Sequence, residues 1–292
     1  MVACTPHPGY GTLSVRNGAL VRRVDLATCR MWTTKAPKRR IAFPTLSVAA
    51  SRHGSRGTQR IVYKGNAVYT VHERYDRIPG GTPGPIELFG PSPDGRWVLF
   101  AIDPMSSASL AADGLTLEAV PVAGGRPRVV ATGLLADDYR TWCGGRLVLT
   151  AGGDRIAAHH KWLIVTGPPT WRARILVRDP TRAFGSLACA GTSVVVQATR
   201  DLGVDETHVG FPRWSLWRVA FDGTHTVLDT PPRGSSDDSP RVARNGSVVF
   251  VRSHDGRGTL WALGVGALAG VGRDDGYYGH RPWDGVTWSL QR

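Results

Sequence analysis

Several neighbouring side chains in this sequence could do chemistry together. His159 and His160 are adjacent, and imidazoles are common transition-metal ligands. In a strand, however, successive side chains point to opposite faces. The pair is therefore expected on a surface or in a turn, and no metal is assigned to it. Three acidic doublets, Asp137-Asp138, Asp237-Asp238 and Asp274-Asp275, could offer oxygens to Ca²⁺. None lies in a contiguous calcium loop, and capping of loop amides is the plainer role. Signatures of covalent and nucleotide chemistry are missing. There is no G-x-S-x-G elbow, no P-loop and no H-E-x-x-H. The glycines of Gly264-Val265-Gly266-Ala267-Leu268-Ala269-Gly270 are spaced G-x-G-x-x-x-G, and no βαβ unit surrounds them, so dinucleotide binding is not expected. No catalytic residue and no cofactor follow from these patterns.

The four cysteines, Cys4, Cys29, Cys143 and Cys189, form no C-x-x-C pair and no cluster with histidines at zinc-finger spacing. An even count at wide spacing fits two disulfides and hence an oxidising compartment. Charge is uneven. The net value is +13 over 292 residues, yet residues 1–60 hold eleven Lys and Arg against one acid, Asp25. Lys35, Lys38, Arg39 and Arg40 form the densest basic patch, able to attract anionic lipid, nucleic acid or acidic polymers. Pro37 argues against a long amphipathic helix there, and a solvated loop is the bland reading. A composition of 41% hydrophobic and 20% charged residues excludes wholesale disorder. No run of about 18 apolar residues occurs, so no transmembrane segment is expected. The start lacks a charged n-region and an apolar h-region, so no signal peptide is read in this chain. Met1-Val2-Ala3-Cys4 resembles the tail of a bacterial lipobox.

The elements that must position these residues are strands. No stretch of helical length places apolar residues at i, i+3, i+4 and i+7. Short runs of Val, Ile, Leu, Trp and Phe at 96–102, 147–151, 161–166, 192–198, 216–221 and 247–252 are bounded by Gly, Pro, Asn and Asp. The fold class is all-β. A repeat becomes visible when the turns are aligned: strand, two-residue turn, strand, often followed by a second hairpin. Turns at Asp94-Gly95, Gly144-Gly145, Gly191-Thr192 and Asn245-Gly246 are first turns; Gly124-Gly125 and Asp222-Gly223 are second ones. Units starting near Ile41, Ile86, Asp138, Phe184 and Asp238 are spaced roughly 40–55 residues apart, the period of β-propeller blades. The ends supply a further unit, with outer strands from 11–29 and inner strands from 278–290. The expectation is a single domain over 1–292: a six-bladed β-propeller of four-stranded antiparallel blades, closed by a blade shared between the termini. A five-bladed or irregular ring is the alternative.

The stretch Ser92-Pro93-Asp94-Gly95-Arg96-Trp97-Val98-Leu99-Phe100 resembles the S-P-D-G-x-x-[ILV] motif of TolB-type propellers, whose repeats are WD40-like (PD40). Copies at Asn245-Gly246, Gly144-Gly145 and Asp284-Gly285 are degenerate. The resemblance implies a six-bladed propeller outside the cytoplasm, periplasmic, secreted or at the cell surface, that binds protein partners. No α/β domain of the kind that precedes the TolB propeller is visible.

Propeller ligands usually sit at the axial channel. By the repeat alignment, Glu87, Asp138, Arg140, Asp238, Arg241, His280 and Arg281 are the polar candidates there, and a watery structural channel is the plainer reading of them. Trp97, Trp217, Trp261 and Trp288 fall in strands and are expected to pack between blades, whereas Trp142 and Trp283 lie near turn ends and could be exposed. Cys143 and Cys189 occupy equivalent positions in consecutive units, and Cys4 and Cys29 flank the first hairpin. The expected disulfides are Cys4–Cys29 and Cys143–Cys189, against the alternative of four reduced, buried thiols. Together these readings point to a non-enzymatic extracytoplasmic scaffold, expected to be monomeric, that binds a protein or an anionic envelope component. The alternative is a channel-metal hydrolase or lactonase. Nucleic acid binding rests on charge alone, without a recognised module, and is not expected.

Overall fold

A computed structural model describes residues 4–17, 20–35, 46–52, 55–64, 67–75, 86–102, 115–123, 126–134, 139–152, 159–201, 213–243, 246–255, 257–273 and 286–291, with the backbone alone at 16–17, 46–75, 86–88, 102, 115, 272–273 and 286–291. The described residues are almost entirely β-strand and the turns that join them. Among the described residues no helix is long and apolar enough to cross a membrane.

The strands are β1 (Thr12–Asn17), β2 (Leu20–Asp25), β3 (Met31–Lys35), β4 (Leu46–Arg52), β5 (Ser55–Lys64), β6 (Ala67–Tyr75), β7 (Ile86–Pro91), β8 (Trp97–Ile102), β9 (Leu115–Pro121), β10 (Arg128–Leu134), β11 (Arg140–Cys143), β12 (Arg146–Gly152), β13 (Lys161–Thr166), β14 (Arg174–Val177), β15 (Arg182–Cys189), β16 (Ser193–Arg200), β17 (Ser215–Ala220), β18 (His225–Asp229), β19 (Ser235–Val242), β20 (Val248–His254), β21 (Arg257–Ala262), β22 (Gly266–Arg273) and β23 (Val286–Gln291). Four sheets are antiparallel meanders of four consecutive strands, β7 to β10, β11 to β14, β15 to β18 and β19 to β22; β4 to β6 form a sheet with three described strands. The sixth sheet runs β23-β1-β2-β3 and so joins the two ends of the chain. The pairing of β23 with β1 extends from Thr12↔Gln291 to Asn17↔Val286. This is the blade pattern of a β-propeller, with one blade shared between the termini.

The shared sheet departs from the sequence reading in its division. The N-terminal end supplies three strands reaching Lys35 rather than stopping at 29, and one described strand comes from the C-terminal end. The reason is a turn after β2. The Asp25 carboxylate accepts from the Ala27 N–H at 2.8 Å, and the Asp25 N–H donates to the Arg30 carbonyl at 2.9 Å. With Cys29 at a φ of 57°, the chain reverses into β3. Met31-Trp32-Thr33-Thr34-Lys35 is mostly exposed, so it carries no apolar alternation to read.

The complete S-P-D-G copy shows why those residue types recur. The Ser92 hydroxyl donates to the Asp94 carboxylate, while its oxygen accepts from the Trp97 N–H at 3.0 Å. Asp94 also accepts from the Arg96 N–H at 3.1 Å. Ser92 and Trp97 close the hairpin through a backbone bond of 2.9 Å, and Gly95 sits at a φ of 68°, where a side chain is strained. The hydrogen bond from Ser92, then that from Arg96, hold the Asp94 carboxyl below its ordinary value. Two other first turns are closed by shorter backbone bonds: the Ala190 and Ala243 N–H groups donate to the Ser193 and Ser247 carbonyls, each at 2.8 Å, and the Ser193 hydroxyl adds a bond to the Ala190 carbonyl at 3.3 Å.

The chain divides into two compact units, one of Met1–Pro37, Ser186–Arg200 and Glu206–Arg292, the other of Lys38–Gly185 and Asp201–Asp205. In the second, Leu99, Leu117, Leu134, Leu147 and Leu149 are fully buried around Trp97 and Trp171, whose rings meet edge-on at 5.5 Å. Burying each such leucine contributes about 1.5–3 kcal/mol. Trp142, whose place near a turn end left exposure open, is half-buried against Trp171 at 6.2 Å. In the first unit, Leu13, Val24 and Leu26 pack with Val249, Val251, Leu260 and Leu268, and Trp217 is buried as expected. Side chains of Trp283 and Trp288 lie outside the description.

Cys4 and Cys29 form a disulfide with Cα atoms 5.8 Å apart. It holds the segment before β1, which also bridges to β22 through Cys4↔Ala269 and a Thr5 N–H to Leu268 carbonyl bond of 3.0 Å. Cys143 and Cys189 are disulfide-bonded as well, and no cysteine is free. The Cys4–Cys29 bond closes a loop of 25 residues, which stabilises by about 3 kcal/mol through the unfolded chain. Chemical denaturation of Cys4→Ser should show a loss of about that size. A peptide map without reductant should give Cys4 linked to Cys29, and it tests the expected Cys143–Cys189 pair directly.

Candidate functional site

In the first unit, polar groups concentrate on β19, the first strand of its sheet. Asp237 is fully buried at 0% exposure, and Asp238 is buried at 4%. Being neighbours in a strand, they face opposite ways. Asp237 pairs in register with Arg252 on β20. The guanidinium grips it with two bonds, Nε to Oδ1 at 2.7 Å and Nη2 to Oδ2 at 2.9 Å. The same Nη2 reaches Asp229 of β18 at 2.6 Å, so one arginine ties two sheets together. Trp261 and Phe250 flank the cation, with its central carbon 4.5 and 5.4 Å from their ring centroids. On the other face, Asp238 accepts from the Ser239 N–H at 2.6 Å and from the Ser186 hydroxyl at 3.5 Å. Gln197 completes this network by donating to the Asp237 carbonyl at 2.9 Å and accepting from the Ser186 N–H at 2.8 Å.

Burial pushes the Asp237 carboxyl up to about 6 against the pull of Arg252, and the neighbouring charges of Asp229 and Asp238 push the same way. Arg252 loses solvation too, but the two carboxylates it holds keep it more firmly protonated than a free guanidinium.

In the second unit, Arg140 on β11 donates to the Phe89 carbonyl at 2.5 Å and lies 5.0 Å from the Phe89 ring centroid. His159 and His160 stand in a bend just before β13, not within a strand. His160 takes a φ of 46°, and the two rings come together with centroids 3.7 Å apart. Both meet Asp201, which follows β16 and is 42 residues from His159. His159 Nδ1 is 2.6 Å from Asp201 Oδ1, and the His160 N–H donates to Oδ2 at 3.0 Å. The rule that strand neighbours diverge does not govern them, because the turn precedes the strand. This cluster has no contiguous sequence signal: the doublet was visible, but its third member is distant.

Of the seven axial candidates, Arg140, Asp238 and Arg241 have described side chains. Arg241 donates to the Pro240 carbonyl at 2.9 Å. Glu87 pairs with Ala101 in the backbone register of β7 and β8. Asp138, His280 and Arg281 lie outside the described residues, as do Lys38, Arg39 and Arg40. Lys35 is exposed at the end of β3. Around it, Met31 at 44% and Trp32 at 36% are exposed apolar groups, and Arg22 and Arg30 are exposed cations. The first unit also carries a polar groove of about 800 Å³ lined in part by Ser193, Arg218, Thr224 and His225.

No family model and no curated protein matches the sequence. Solved structures of similar fold include TolB from Acinetobacter baumannii, at 13% identity and a TM-score of 0.43 over 88% of this chain and 66% of that one. A chain of the nidogen/laminin complex gives 13% identity and 0.41 over 87% and 90%. Puromycin hydrolase gives 14% identity and 0.47 over 91% and 45%. The chain thus spans about two thirds of the first protein and under half of the last.

The buried pair yields a signed prediction. Asp237 holds its proton more tightly folded, with a value of about 6, than at its ordinary 3.8. Its contribution to stability is therefore full below about pH 4 and is withdrawn as pH rises through 6, a change of about 3 kcal/mol at about 1.4 kcal/mol per pH unit. Denaturant titrations from about pH 4 to 7 should show wild type losing about that much relative to Asp237→Asn. A difference that stays flat would mean that Arg252 fully offsets burial. Arg252→Leu strands the carboxylate and should cost about 3–5 kcal/mol at neutral pH, and less at pH 4.

Proposed function

We propose that the chain is a non-enzymatic, extracytoplasmic propeller scaffold, a single domain that docks a protein partner carrying an acidic and apolar face. The observation that carries this reading is the β3 edge. Met31, Trp32 and Lys35 are exposed on a strand with one described neighbour, β2; Met31 and Lys35 share a face with the exposed Arg22, which pairs with Thr33, and Trp32 turns to the other face. An edge strand presents unpaired backbone groups, and an exposed tryptophan on such an edge is the kind of residue that anchors an interface. The Cys4–Cys29 disulfide holds the turn immediately before this strand, which reduces the ordering cost of docking. Four oxidised cysteines support an oxidising compartment outside the cytoplasm. The described polar groups of the first strands support a frame rather than a reaction centre, since Asp237, Asp238 and Arg140 are bonded to other parts of the protein.

Cross-linked capture from envelope extract, with nuclease present and at physiological salt, should recover one saturable protein partner. Trp32→Ser combined with Lys35→Glu should weaken that complex by tenfold or more, on the order expected of an interface anchor. Raising salt from about 0.1 M to about 1 M should weaken it further, because exposed charges are screened. Retention of the double variant on vesicles of anionic lipid, with no protein recovered by wild type, would overturn the reading.

A further inference from the structure

We propose that His159, His160 and Asp201 form a binding site for a divalent transition metal of the zinc class. One ligand atom from each of the three lies within 4.8 Å of the other two. A tetrahedral ion with bonds of about 2.1 Å holds its ligand atoms about 3.4 Å apart, so small side-chain rotations close the set. Two imidazoles and one carboxylate match the borderline-soft preference of Zn²⁺ and its neighbours rather than the all-oxygen preference of Ca²⁺ or Mg²⁺.

The backbone is arranged to bring these groups together. His160 holds a positive φ of 46°, an uncommon conformation for a residue with a side chain, and this brings its ring onto that of His159. The arrangement depends on a glycine across the strand pair: a Cβ at Gly152 would meet the His160 carbonyl oxygen at 1.5 Å. Asp201 is fixed from its own side by a backbone bond to the Thr181 carbonyl at 2.9 Å. Its Oδ2 accepts from the His160 N–H, which aims the carboxylate at the ring pair. The depths of the groups are graded, with His159 buried at 7%, Asp201 intermediate and His160 exposed, so an ion would be held from below and reached from solvent. Three protein ligands leave a fourth position for water or for a donor from a partner.

The test uses the untagged full chain, stripped with chelator and titrated with Zn²⁺ by calorimetry, then with Co²⁺ followed by its visible absorption. Wild type should bind one equivalent, with the intense visible bands of a tetrahedral ion, and its melting temperature should rise with free metal by mass action. His160→Ala and Asp201→Asn should each weaken binding by tenfold or more. Because His160 is exposed, His160→Ala should keep the metal-free melting temperature of wild type, which separates ligand loss from unfolding. Gly152→Ala displaces the His160 carbonyl and should weaken binding without touching a ligand. Absence of a bound equivalent in wild type would overturn the proposal and leave a histidine–aspartate hydrogen bond only. Undiminished binding by His160→Ala would overturn it as well, by placing the ion elsewhere.

Discussion

A carboxylate with no access to water sets the terms for much of the first unit. Asp237 cannot be left alone in that position, since an unpaired buried charge costs several kcal/mol. Arg252 therefore has to stand opposite it in the β19–β20 register, and the guanidinium has donors to spare. The spare donor reaches Asp229 on the last strand of the preceding sheet. The flat faces of the cation are covered by Trp261 and Phe250. One charge thus dictates a partner, a second acid and two aromatic neighbours. Its neighbour Asp238 does the same on the opposite face through Ser186 and Gln197. The sheet from β15 to β18 is in this way attached to β19 by directional bonds, where apolar packing alone would leave its position less specified.

The sequence made the strands legible wherever they are buried on both faces. β8, β12, β13, β16, β17 and β20 all fall on apolar runs, because middle strands covered on both sides need few polar residues. The Asp-Gly and Asn-Gly turns were legible for a different reason: their conformations admit few residue types. β3 was illegible because an exposed edge strand is subject to neither constraint. Its existence depends on how Asp25 and Cys29 turn the chain, which is a matter of specific bonds rather than of composition.

The candidate sites divide along the same line. The repeat alignment places polar residues of the first strands toward a channel, with a watery structural role as the plainer reading. In Asp238 and Arg140 that polarity is matched by neighbours inside the protein, and neither match could be read from spacing, because Ser186 and Phe89 lie about fifty positions away. The histidine doublet stands in a turn, one of the places expected for it, with His160 exposed. Strand alternation would separate the two rings, but alternation begins at Lys161, one residue too late to apply. A single left-handed residue brings the rings together, and Asp201 joins the pair from the position just after β16.

The degenerate repeats follow from what a hairpin requires. The Ser92 and Asp94 side chains reinforce a turn that is also closed by a backbone bond, as are the turns at Ala190 and Ala243, which carry other residues at the motif positions. Since the turn is closed by backbone groups common to all residues, motif side chains can be lost as long as the positive φ positions remain tolerable. Buried charges have no such freedom: losing either Asp237 or Arg252 leaves the other unmatched. Sequence drift should therefore erode the turns first and the buried pairs last. A motif that survives complete in a single copy is then what a constrained frame with permissive turns would leave behind.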